Sequence, residues 1–247
     1  MKTRILLLAA FVSSTFSGAA NASQVIWLDS DHSSYYGDQP IGGSVTFKTP
    51  SADAKVTAWS IGSDNKIYQA RLGVWESGIG VKNGSNDNSH TIDNSGSRDF
   101  IVIQFDKLVQ LANATFNTGW HGFNDTDATI GYLISGAPFS TTVNLTGANQ
   151  STLSSYNLFE SGGNGYSGNS VRPINPNGNV GNTWLIGASF NNPDGSYKLD
   201  GFKLEKLSFS VAAVPEPSTW MFMLLGMTGV GYTMRRKDKQ TLRVRYT

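Results

Sequence analysis

DFIVIQFDKL, residues Asp99–Leu108, is the stretch on which the fold turns. Side chains alternate across a strand, so Phe100, Val102, Gln104 and Asp106 share one face, and Ile101, Ile103, Phe105 and Lys107 the other. Both faces begin apolar and both end polar. A strand apolar on both sides lies inside a layered structure, and its polar end reaches a rim. Outward from it, KVTAWSI (Lys55–Ile61) shows the same period of two, with Val56, Ala58 and Ser60 opposing Thr57, Trp59 and Ile61. Strand patterns also cover Gln24–Leu28, Ser44–Thr49, Ile67–Glu76, Asp99–Val109, Ala114–Gly119, Thr129–Ser135, Thr141–Thr146, Trp184–Phe190 and Phe202–Val211. No amphipathic helix interrupts them. The segments between are rich in Gly, Asn, Ser and Asp, such as KNGSNDNSH at 82–90 and NPNGNVGN at 175–182. Gly supplies positive φ, and Asn and Asp hydrogen-bond their own backbone, so these segments read as turns. Ten such strands predict an all-β chain with a single antiparallel β-sandwich, jelly-roll-like, and a long surface loop between about 147 and 182.

The ends read differently. Residues 1–22 form a secretory signal peptide: Lys2 and Arg4 precede the apolar run ILLLAAFV, and Ala20-Asn21-Ala22 offers a small-residue cleavage site before Ser23. Export through the Sec machinery and cleavage by signal peptidase follow. The folded domain is then 23–212, long enough to bury a core without staples. The chain has no cysteine, which excludes disulfides, thiol catalysis and Cys-ligated zinc. Its 19 basic and 18 acidic residues are unevenly placed. Between Ser23 and Val214 there are 11 basic and 16 acidic residues, a net charge of −5, so nucleic-acid binding is not expected of the domain.

After Val211 the chain reads AAVPEPSTW. Pro215 and Pro217 remove backbone donors and end the last strand. The 15 residues Trp220–Met234 carry no charge, and Arg235, Arg236 and Lys237 follow. As a helix, that run would span about 22 Å, short of a hydrocarbon core of roughly 30 Å. Trp220 and Tyr232 suit the membrane interface, and the basic cluster would stay cytoplasmic.

Signal peptide, Gly/Asn-rich β domain, Val214-Pro215-Glu216-Pro217-Ser218, short hydrophobic helix and basic cluster together resemble the PEP-CTERM proteins. The resemblance implies a sorting segment over 213–239, recognised and cleaved by a membrane-embedded exosortase. It implies a Gram-negative surface or extracellular protein, held transiently in the inner membrane and associated with exopolysaccharide or biofilm. Residues 240–247 then form a cytoplasmic tail, longer than such proteins usually have. The stretch Leu72–Asp106 is similar to a pattern recurring in such surface domains, and it carries no transferable chemistry.

For the domain itself, His32, His90 and His121 show no metal-binding spacing, and neither HExxH nor G-x-S-x-G occurs. Glu76 and Glu160 are candidates for a glycosidase pair only by elimination. The expectation is therefore no catalysis and no obligate cofactor. Calcium is the exception: Asp87, Asn88, Asp93, Asn94 and Asp99 place hard oxygen donors in one Gly-rich segment, without EF-hand spacing. Asx turns within their own loop are the simpler use of the same residues. A lectin-like role is the alternative function, with Trp120, His121, Tyr35, Tyr36 and Tyr166 as stacking candidates. A permanently anchored envelope protein is the third.

Overall fold

The computed structural model describes residues 23–84, 87–118, 125–162, 170–191, 199–212 and 217–238. They belong to two units, the domain Ala20–Ala212 and a second that includes the C-terminal helix. The domain strands are β1 (Gln24–Trp27), β2 (Gly37–Asp38), β3 (Val45–Phe47), β4 (Ala54–Ile61), β5 (Ile67–Gln69), β6 (Arg71–Trp75) and β7 (Gly78–Lys82). Then come β8 (Ile92–Asp93), β9 (Arg98–Asn117), β10 (Ala128–Leu133), the 3-10 helix Gln150–Tyr156, β11 (Phe159–Ser161), β12 (Ser170–Pro173), β13 (Gly181–Ala188) and β14 (Gly201–Val211).

Strand β9, 20 residues long, organises the rest. Its first half pairs with β4, from Ile61↔Arg98 to Ala54↔Phe105, and on its other edge with β13, from Gly187↔Phe100 to Thr183↔Gln104. Its second half pairs with β14 over Val109–Asn117 and with β12 over Asn113–Phe116. The first half thus sits in a layer β3-β4-β9-β13-β10-β11, and the second joins β12, β14, β7, β6 and β2. All these pairings are antiparallel, and the result is a β-sandwich whose two layers share a strand. Asp99–Val109 and Ala114–Gly119 are therefore one strand rather than two. Nothing in Gln110–Asn113 could break it, since the segment holds neither glycine nor proline.

The core lies between the layers, where Val56, Ile101, Ile103, Trp184 and Ile186 meet Leu72, Val74, Ile79, Leu111, Leu204, Leu207 and Phe209. A second cluster covers the outer face of the first layer: Trp59, Ile61, Phe100, Val102 and Leu185 pack under Leu153 and Tyr156 of the 3-10 helix. Hence all eight residues of β4 are buried. Each fully buried Leu, Ile or Phe contributes about 1.5–3 kcal/mol of transfer free energy, so two apolar clusters replace the disulfides that the chain lacks.

Several elements differ from the sequence pattern. Ile67–Glu76 is interrupted at Ala70, because β5 pairs with β4 while β6 pairs with β7 in the other layer. Thr141–Thr146 is not a strand. Gln104 captures it instead, donating to the Thr141 carbonyl at 2.9 Å and accepting from the Val143 amide at 3.0 Å, while Val143 and Leu145 pack on the outer cluster. The span expected as one loop after 147 contains the 3-10 helix, β11 and β12.

Among the described residues β1 pairs only with β14, and β3 only with β4. Their other edges flank a groove of about 520 Å³ lined by Trp27, His32, Tyr35, Phe47, Lys48 and Pro50.

Strand β7 reads GIGVK, and its glycines hide it from a propensity reading. Gly80 is required by contact: a Cβ there would lie 1.8 Å from the His90 carbonyl oxygen, because His90 and Thr91 cross directly over it. Gly80→Ala is expected to destabilise the domain by about 1–3 kcal/mol, measured as a lower urea midpoint with unchanged slope.

Candidate functional site

The acidic loop considered as a calcium site uses its side chains in hydrogen bonds of its own. Asp87 accepts from the Ser89 hydroxyl and amide and from the Asn83 amide. Asp93 accepts from Ser89 and Thr91 hydroxyls and from the Ser95 amide. Asp99 is fully buried, and its two carboxylate oxygens lie 3.0 and 3.1 Å from Asn83 Nδ2, which also donates to Ser97 Oγ at 2.6 Å. Burial pushes the Asp99 carboxyl well above its ordinary value against the hydrogen bonds from Ser60 and Asn83, and raises Asp93 in the same way. Asn88 is exposed. Asn94 belongs elsewhere: its Nδ2 donates to Asp200 Oδ2 at 2.7 Å, and its Oδ1 accepts from the Asp200 amide at 2.9 Å.

That bond leads to a carboxylate centre that sequence reasoning missed. Asp125, Asp127 and Asp200 are all buried, and one carboxylate oxygen of each lies within 4.8 Å of the others. Asp125 precedes β10, Asp200 precedes β14, and a parallel bridge joins the two. The only sequence signal was Asp-Thr-Asp ahead of a strand, with the partner 73 residues away from Asp127. These are the described residues that could hold a metal, and hard oxygen donors so grouped suit calcium rather than zinc. Arg172 of β12 serves the same centre. Its guanidinium donates to the Thr126 carbonyl and hydroxyl and lies 3.8 Å from the Phe116 ring centroid. Burial lowers its pKa to about 10, while Asp127, Asp125 and Asp200 oppose that fall.

The other expected residues scatter. Trp59 and Trp184 are buried in the two clusters. Glu76 is exposed beside the β6–β7 turn, and the Glu160 carboxylate accepts from Thr129, Ser189 and Asn191. His32 bonds Asp29 through Nδ1 at 2.8 Å and stacks on Trp27, whose ring also carries Lys206. Tyr35 packs against Phe47, whereas Tyr36 is exposed against Trp75. Trp120, His121 and Tyr166 lie outside the described residues, as do Ala20 and Ala22; Ser23 is exposed.

At the other end of the chain, Val214, Pro215 and Glu216 also lie outside the described residues. Helix α1 begins at Pro217, where its fixed φ suits a first helical turn. It runs to Asp238, longer than the expected 220–234, and so includes Ser218, Arg235, Arg236 and Lys237. Met223, Leu224, Leu225, Met227, Val230 and Met234 are exposed on it. Residues 213–237 match the PEP-CTERM protein-sorting motif. The chain carries a PEP-CTERM sorting signal. It is accordingly an exported, surface-directed protein whose processing partner is an exosortase. No curated protein and no solved structure matches the chain. The PEP-CTERM helix corrects one expectation: no helix among the described residues is long and apolar enough to cross a membrane. The physical reason is composition, since Gly226, Gly229, Gly231 and Thr228 dilute the apolar run and charge fills its last turn.

Two outcomes follow for the domain. Arg172→Met is expected to cost about 3 kcal/mol, the low end for removing one member of a buried charge centre, because Arg172 is only partly buried. Adding Asp127→Asn should recover part of that loss in a double-mutant cycle read by urea denaturation. The native Asp99 holds its proton to higher pH than the unfolded chain does. Its contribution is therefore complete below about pH 4 and declines as pH rises through the native value. The difference in stability between the parent and Asp99→Asn, measured from pH 4 to 7, should shift steadily towards the variant.

Proposed function

We propose that the chain is a non-catalytic component of the bacterial surface, cleaved at Val214-Pro215-Glu216-Pro217 and delivered to the exopolysaccharide matrix. The observation that carries this reading is the match over 213–237, where proline motif, apolar helix and basic cluster occur in the order a sorting enzyme requires. Helix α1 and its terminal Arg235 would hold the motif beside the membrane-embedded exosortase, and the apolar side chains exposed along the helix favour an interface over water.

The test is the intact mass of the protein recovered from its native host and from an exosortase deletion strain. The host should yield a C-terminus near Pro215–Ser218, and the deletion strain a product that retains Met234–Thr247. Identical masses from the two strains would refute processing by that enzyme.

A further inference from the structure

Tyr36 is 70 % exposed, yet it stands on rigid structure. Its ring meets Trp75 edge-on with centroids 5.2 Å apart, and the residues after it enter β2, paired Gly37↔Val74 and Asp38↔Gly73 with β6. Beside it, Asp38 Oδ1 bonds His90 Nδ1 at 3.0 Å, and Asp38 Oδ2 accepts from Lys82 Nζ at 3.0 Å. The side chains of Asp38, His90 and Lys82 keep 25 %, 20 % and 19 % of their surface in solvent. His90 also meets Trp75 edge-on, at 5.3 Å. Its backbone φ of +48° is a left-handed conformation that a non-glycine residue adopts at some energetic cost.

These groups are complementary to a sugar. A pyranose presents a face of C–H bonds bordered by hydroxyls. The exposed Tyr36 ring offers an apolar surface for the first, and the carboxylate and imidazole offer acceptors for the second. Where Nδ1–H is donated to Asp38, Nε2 is left as the ring's acceptor, and Nε2 makes no hydrogen bond among the described residues. Asp38 pairs with Lys82, and Lys203, whose Nζ lies 5.4 Å from the Trp75 ring centroid, is buried, so the exposed charges of the patch compensate and it does not call for a charged ligand. Fastening residues 87–91 to β6 would explain His90 and Asp38, but it leaves Tyr36 unexplained. We propose that Tyr36, Asp38 and His90 form a stacking site for a pyranose unit of a neutral polysaccharide. The proposal rests on the matrix association above only for where the sugar is met.

The full chain in detergent micelles, titrated with cellohexaose, laminarihexaose and isomaltohexaose and followed by tryptophan fluorescence, tests it; tetragalacturonate is the anionic comparator. At least one neutral hexamer should bind, about tenfold more weakly to Tyr36→Ala and within about twofold to Tyr36→Phe. Because Tyr36 is exposed, Tyr36→Ala should keep the parent's melting temperature, which separates lost binding from lost folding. Equal binding by Tyr36→Ala, no binding of any neutral hexamer, or a strong preference for tetragalacturonate would overturn the site. Binding in vitro by a protein that is absent from the host's matrix would instead refute the matrix association and leave the site standing.

Discussion

Everything in the domain hangs on β9. A strand whose two halves belong to different layers must satisfy two sets of neighbours with one alternation of side chains. It does so because both of its faces are apolar over Phe100–Ile103, while Val109, Leu111, Ala114 and Phe116 turn to the shared core. The chain leaves one layer where Asp106 and Lys107 reach solvent, and there the backbone is tied to Asp53 by two hydrogen bonds, the Asp106 amide to the Asp53 carbonyl and the Asp53 amide to Asp106 Oδ1. Backbone hydrogen bonds along both edges of so long a strand couple the layers, so neither is expected to open alone.

The same geometry explains which parts of the fold were legible in the sequence. Strand patterning located β4, β13 and β14, and β9 as two separate strands, because each has one side chain per step to bury. It could not identify β7, where Gly78 admits the Leu204 backbone and Gly80 lets His90 pass, nor β2 and β8, which are two residues long and are held by their neighbours rather than by propensity. Thr141–Thr146 had the residues of a strand but met the side chain of Gln104 where a ladder would need a backbone.

Function divided along the same line. The sorting signal is a local code, contiguous over 213–237, so its residues could be read directly. The carboxylate centre is assembled from the starts of β10 and β14 with Arg172 of β12, and nothing adjacent in sequence announces it. Asn94 illustrates the limit well: grouped by sequence with Asp93, it is grouped by the fold with Asp200 instead. Tyr36 was visible as half of a Tyr-Tyr pair, but only the structure separates it from Tyr35, which is spent on Phe47.

The groove between β1 and β3 bears on life in a crowd. Exported copies gathered at one surface reach local concentrations at which unpaired strand edges template one another. On this side the β3 edge runs into Lys48, 80 % exposed at its side chain, and then Pro50, which has no amide to donate. A neighbour adding a strand here would have to strip water from the ammonium and forgo a ladder bond at the proline. Strand addition at this edge is disfavoured on both counts.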